Sequence, residues 1–212
     1  MYDIFGLNLE ENAFKITEEF QQEGFSIYPD DKFTKKYALD INQNLKLMVL
    51  GDHDQETMYS GRCSHAYAKS IKFYIPYLKT KKDQIVVIDS VAGTDMVNYG
   101  LYLGADLIIS VVEDTKNSIM VMESAKKIAS DFKIPFYCVL NKIQDSDLRN
   151  KNLDYVTKFH FDKALIDYEY EKVSEKNITA CQELENLIKK NEAKNNISRL
   201  IDWRNKNQEY HK

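Results

Sequence analysis

The stretch QIVVIDSVAGTDMVNYG, residues 84–100, decides how this chain is read. Four apolar residues, Ile85 to Ile88, run straight into Asp89, and a small-residue turn follows that ends at Gly93. An unbroken apolar run bounded by turn signals suits a parallel strand buried on both faces. Asp89 then stands at the strand's carboxyl end, where open α/β sheets gather their ligands. A carboxylate there fits a residue that orients magnesium or its waters beside a phosphate. Gly93 lets the following loop change conformation. The plainer alternative is an aspartate that only caps the turn.

Working outward, the pattern repeats. LKLMVLG (45–51), ADLIISVVE (105–113), IPFYCVLN (134–141) and YVTKFHF (155–161) read as further strands. Helical spacing lies between them. Tyr67, Ile71, Tyr74 and Leu78 line one helix face. Ser118 is expected to cap another helix, with Ile119, Met122, Ala125, Ile128, Ala129 and Phe132 as its apolar positions. Ile178, Cys181, Leu184 and Ile188 form one stripe near the end of the chain, and Ile197, Leu200, Ile201 and Trp203 another. EENAFKITEEFQQEG reads as a short helix closed by Gly24, and residues 25–44 read as irregular.

Strands alternating with helices imply an α/β fold, a mostly parallel sheet flanked by helices. The expected organisation is a single domain over 1–212, with an irregular and helical part at 1–44, an α/β core at 45–165 and C-terminal helices at 166–212. Asp89, Glu113 and Asn141 fall at strand ends, where they can converge on one site.

Bulk properties narrow the class. A formal charge of −4 and a pI near 5.7 give no general electrostatic reason to bind nucleic acid or an anionic membrane. No apolar run approaches the ~20 residues of a bilayer span. The opening MYDIFGLNLEEN has neither a basic head nor an apolar signal core. Three scattered cysteines, Cys63, Cys138 and Cys181, suit free thiols in a reducing cytoplasm.

Two other motifs carry chemistry. In LNKIQD (140–145), Asn141 offers both a donor and an acceptor to a purine edge, and the Lys142 stem can lie along the base. The alternative is a plain polar exit from a strand. In SGRCSHA (60–66), Cys63 and His65 sit two apart at a helix start, and both residue types bind borderline metals. A two-fold dimer joining two such loops gives a Cys2His2 set suited to tetrahedral zinc. The alternative is a cysteine and a histidine with no shared role.

Taken in order, VVIDSVAG, GADLIISVVEDTKNS and VLNKIQD resemble the MinD/ParA class of deviant P-loop ATPases, most closely its CooC-like members. The resemblance runs from about residue 45 to about residue 190. It implies a P-loop NTPase-like fold of the SIMIBI type. Asp89 then belongs to the magnesium and switch region and is the candidate catalytic residue, with Ala92 and Gly93 beside it. Asn141 and Lys142 contact adenine. VTKFHFD aligns with the family's IPYD-like strand end near the base, with His160 in place of proline. SGRCSHA aligns with a cysteine-bearing loop that binds metal between two subunits, with one cysteine where the family has a pair.

The implied cofactors are ATP and Mg, with Zn or Ni at a dimer interface. The implied partners are a second copy and a metalloenzyme client such as carbon monoxide dehydrogenase, and the implied role is ATP-dependent maturation of a nickel centre. The family also opens with a strand and a phosphate loop of the form G-K-G-G-x-G-K-T, which these residues do not contain. By this comparison the chain starts roughly forty residues late, with the first strand and phosphate loop missing. Without that loop's nest of N–H groups, little holds the negative charge between Asp89 and Asn141. Two functions stay open: an incomplete or degenerate ATPase domain, and a non-catalytic α/β module that binds a partner and takes up no ATP unaided.

Overall fold

A computed structural model describes residues 28–49, 74–81, 83–90, 100–144, 153–191 and 198–203. They fall into two compact units, one made of the described residues up to 90 with 100–104 and 198–203, the other of 105–144 and 153–191.

The second unit holds the parallel sheet. Strands β3 (Ile108–Val112), β4 (Phe136–Ile143) and β5 (Thr157–His160) run in the order β3-β4-β5, and both pairings are parallel. Ile108 faces Phe136 and Val112 faces Leu140 in an unbroken register. Parallel neighbours need a crossover, and helix α2 (Lys116–Asp131) supplies the one between β3 and β4. Its expected apolar face is the observed one, with Met122 and Ala129 buried and Ile119, Ala125 and Ile128 partly so. Val112, Met122, Cys138, Leu140 and Ile143 form the core between helix and sheet. This is the expected α/β architecture of a parallel sheet flanked by helices.

The cap of α2 differs from the expectation. Thr115 is the N-cap, its hydroxyl accepting from the Ser118 N–H at 3.3 Å. Ser118 turns its own hydroxyl to the Glu113 N–H at 3.0 Å. Both residues suit the role chemically, and the one preceding the first helical turn takes it. The helix ends in paired bonds, Lys133 N–H to Ser130 O and Ile134 N–H to Ala129 O, with Lys133 left-handed at φ 54°.

After β5 come α3 (Lys163–Ile166) and α4 (Glu175–Lys190). The second half of the expected α4 stripe, Leu184 and Ile188, is partly buried, but the first half turns by one position: Asn177 and Ala180 are buried, whereas Ile178 and Cys181 are exposed. The reason is polar. Asn177 turns inward because it binds β5: its Oδ1 accepts from the His160 N–H at 2.8 Å, and its Nδ2 donates to the His160 carbonyl at 3.1 Å. Thr157 adds a second tie, donating to Glu183 at 2.6 Å.

In the first unit, α1 (Lys32–Tyr37) is followed by β1 (Leu39–Asn42) and β2 (Leu45–Leu47), an antiparallel hairpin where residues 25–44 were expected to be irregular. LKLMVLG is therefore a hairpin arm over part of its length. Leu39 pairs with Leu47 and Asp40 with Lys46, and an ion pair joins the latter two. Asp31 caps α1 by accepting from the Thr34 N–H at 3.1 Å, and it also accepts from the Tyr74 hydroxyl at 2.8 Å. The core of this unit gathers Tyr74, Ile75, Tyr77, Leu101, Tyr102, Leu103 and Leu200.

The expected strand at 84–89 is corrected. Residues 84–90 pair with no described strand, and Val87 is 82% exposed. A run of apolar side chains becomes a strand only when a neighbour takes its N–H and C=O groups, and no described residue does so here.

Candidate functional site

The carboxyl edge of the parallel sheet is built around an irregularity. Leu140 pairs with Lys158 and Ile143 pairs with His160, so Asn141 and Lys142 together oppose the single residue Phe159. That is a β-bulge, a device that re-aims side chains beside functional sites. Lys142 accommodates the extra residue by adopting φ 54°, the left-handed region. For a residue with a Cβ this costs about 1–2 kcal/mol. A regular strand would have alternated Asn141 and Lys142 across the sheet, whereas the bulge breaks that alternation.

Lys142 is fixed at its far end. Its Nζ donates to Glu113 Oε1 at 2.7 Å, joining β4 to the residue just after β3. Because Val112 faces Leu140, Glu113 and Asn141 each lie one residue beyond that last paired rung. With the two side chains 61% and 46% exposed, the ion pair adds only about 0.2–1 kcal/mol. Its larger effect is geometric: an amide, an ammonium and a carboxylate share one short edge.

At the end of β5, Asp162 plays a structural part that the sequence pattern did not assign. Its carboxylate accepts from the Ser174 N–H at 2.9 Å, the Ala164 N–H at 3.1 Å and Asn177 Nδ2 at 3.2 Å. These bonds, the Ser174 N–H first, hold its carboxyl below the usual carboxylate range. The only sequence signal is an Asp placed immediately before a short helix, which is a capping position. His160 lies in β5, and its two backbone groups bind Asn177.

Cys138 lies toward the opposite end of β4, beside Met122, Lys126, Asp154 and Tyr155. Burial first, and Asp154 second, push its thiol up, which keeps it protonated and unsuited to act as a nucleophile.

The expected site residues divide as follows. Asn141 and Lys142 sit together in the bulge of the second unit. Asp89 belongs to the first unit, exposed within the unpaired stretch 84–90. Ala92, Gly93, Cys63 and His65 lie outside the described residues. Among the described residues, no group of three or more His, Cys, Asp or Glu side chains is placed to hold a metal ion. None of the described helices is long and apolar enough to cross a membrane.

No protein-family model matches the chain. No solved structure matches it. Curated relatives from Methanocaldococcus jannaschii do. Two are named uncharacterized ATP-binding proteins. One is 27% identical over 131 residues, 59% of this chain and 51% of its own length. The other is 26% identical over 105 residues, 49% of this chain and 40% of its own. A third, named an uncharacterized protein, is 25% identical over 127 residues, 60% of this chain and 42% of its own. The chain spans about half the length of these relatives or less.

Proposed function

We propose that the chain carries a nucleotide-binding domain of the ATPase-like kind, with the Asn141–Lys142 bulge as its base side. One observation carries this: a strained, left-handed Lys142 is kept at the carboxyl edge of a parallel sheet, where α/β folds bind ligands. The names of two relatives supply the ligand class, ATP. The residues of the bulge fit the base of such a ligand. Asn141 offers both a donor and an acceptor to adenine, and Lys142 offers an aliphatic stem held in place by Glu113. Asp89 is the carboxylate we assign to magnesium and the switch, with Ala92 and Gly93 beside it.

The finer reading is a MinD/CooC-like ATPase serving nickel-centre maturation. It rests on the order of VVIDSVAG, GADLIISVVEDTKNS and VLNKIQD. In that reading Cys63 and His65 meet their counterparts across a homodimer to hold Zn or Ni, and the client is a metalloenzyme such as carbon monoxide dehydrogenase. The location is the cytoplasm.

A second reading, a partner-binding module, is favoured by a different observation. Leu39, Leu45 and Leu47 of the hairpin are 59%, 53% and 46% exposed, and Ile85 is 63% exposed. Calorimetric titration with magnesium-ATP separates the two. A Kd tighter than about 10 µM, roughly −7 kcal/mol, supports the nucleotide site and removes the ATP-independent module. The absence of any binding heat at millimolar ATP removes the nucleotide site and leaves the module.

A further inference from the structure

Glu113 has a chemistry that the nucleotide reading leaves unused. Its Oε1 is taken by Lys142 at 2.7 Å, and no described residue donates to its Oε2. The side chain is 46% exposed, so that second oxygen is open to a ligand. It lies one residue past the Val112–Leu140 rung, alongside Asn141 on the neighbouring strand. The Glu113 backbone is also fixed, since its N–H donates to the Ser118 hydroxyl at 3.0 Å, on the first turn of α2.

An ionised carboxylate accepts hydrogen bonds and offers none. Set beside an amide that can pair with either kind of base edge, it breaks the tie. At the 6-position a 6-amino purine presents a donor to Glu113, whereas a 6-oxo purine presents an acceptor there, and its N1–H meets the carboxylate only if the base shifts toward that neighbouring position. Lys142 holds the carboxylate in place, and the ion pair limits the cost of bringing a base against it.

We propose that Glu113 is the specificity-determining residue of this site, selecting 6-amino purines over 6-oxo purines. The inference rests on the nucleotide reading above and adds a residue and a direction of preference to it. Because Glu113 remains partly in solvent, the expected discrimination is modest, roughly tenfold, well below the 10⁴ or more of a fully buried site built on hydrogen bonds.

The test is a titration of the isotopically labelled full chain with ATP and, separately, with inosine triphosphate. Amide shifts of residues 113 and 140–143 are followed, so that millimolar affinities remain measurable. The expected result is about tenfold tighter binding of ATP in the wild type. Glu113→Ala should bring the two nucleotides within about twofold, mainly by weakening ATP. Glu113→Gln, which can turn an N–H₂ toward a 6-oxo group, should shift the preference toward inosine triphosphate. Melting curves of both variants establish that they fold.

Equal binding of both nucleotides by the wild type, or discrimination that survives Glu113→Ala, overturns the role of Glu113. If Asn141→Ala still weakens both nucleotides in that case, the nucleotide site itself stands. If neither nucleotide moves these amides, the nucleotide reading falls, and the inference falls with it.

Discussion

Asn177 on α4 grips His160 on β5 by both backbone groups, taking its N–H at 2.8 Å and donating to its carbonyl at 3.1 Å. The side chain is fully buried, and the same Nδ2 also reaches Asp162 at 3.2 Å. One amide thus stands in for a neighbouring strand at the outer end of the sheet. Asn177→Ala leaves the His160 groups without that partner. Both groups are partly buried, so at the lower part of about 1–3 kcal/mol for each group stripped of its bond the variant should lose about 2–4 kcal/mol. Urea unfolding measures the loss. Asn177→Asp sets a second, buried carboxylate against Asp162 and the His160 carbonyl, so at neutral pH it should cost at least as much as alanine.

Lys142 makes the opposite prediction. At φ 54° a glycine is unstrained, so Lys142→Gly should recover about 1 kcal/mol of backbone strain. Against that stands an exposed ion pair with Glu113, worth about 0.2–1 kcal/mol. The melting temperature of Lys142→Gly should therefore equal or exceed that of the wild type. A clear fall would show that the lysine is kept for stability, and would remove the argument that its strain serves a ligand.

Gly104 closes the 3₁₀ turn Leu101–Gly104 tightly against the turn Ile75–Tyr77. A Cβ added there would overlap the Ile75 side chain and come within 2.9 Å of the Pro76 nitrogen. Backbone gives way less readily than a side-chain tip, so Gly104→Ala should destabilise by about 1–3 kcal/mol, the usual range for overpacking. Thermal melting followed by circular dichroism reads it directly. The companion variant Gly104→Ala/Ile75→Ala removes the Cγ2 that the new methyl meets, and its loss should be smaller than the sum of the two single variants.

Alkaline pH should weaken the first unit. Burial pushes the Tyr77 phenol up to about 12 from its ordinary 10.0. Burial likewise raises the phenols of Tyr74 and Tyr102. The unfolded chain therefore releases these protons first as pH rises. The contribution of Tyr77 to stability is complete below pH 10 and is lost as the pH climbs toward about 12. Melting temperatures taken from pH 8 to pH 11 should fall in the upper part of that range, and Tyr77→Phe should flatten part of the fall. Absorbance titration at 295 nm should show at least one phenol ionising late.

The second unit was largely legible in the sequence, for a physical reason. The runs 105–113 and 134–141 are continuous and apolar, as parallel strands commonly are, even though Val111 in β3 is 62% exposed, and α2 between them has a clean helical period. The run at 84–89 carries the same signal and forms no strand, because composition expresses a demand for burial and cannot supply the partner that meets it. The α4 stripe differs from its pattern for a related reason: Ile178 outranks Asn177 on any hydrophobicity scale, yet Asn177 has two backbone groups to satisfy and Ile178 has none.

The β1–β2 hairpin was hidden by its polar turn, although Asn42 and Asn44 are turn formers and the Asn44 N–H does donate to Asn42 Oδ1 at 2.8 Å. The position of Asn141 and Lys142 at the end of a strand was legible, and the bulge they form was not. No local signal marks a lysine as left-handed, since the conformation is imposed by how Leu140 and Ile143 pair with β5.

The parallel order β3-β4-β5 also sets how the second unit comes together in time. Ile108 must find Phe136 across the whole of α2, and no rung of this sheet can form by zipping outward from a tight turn. Each pairing waits on the closure of a long loop, so collapse of α2 onto one strand should precede registration of the next, and folding should be slow for a unit of this size. The hairpin of the first unit has no such delay, since a short turn brings its strands together within microseconds. A newly made chain therefore presents its leucine-faced hairpin well before the sheet that carries Asn141 has taken shape.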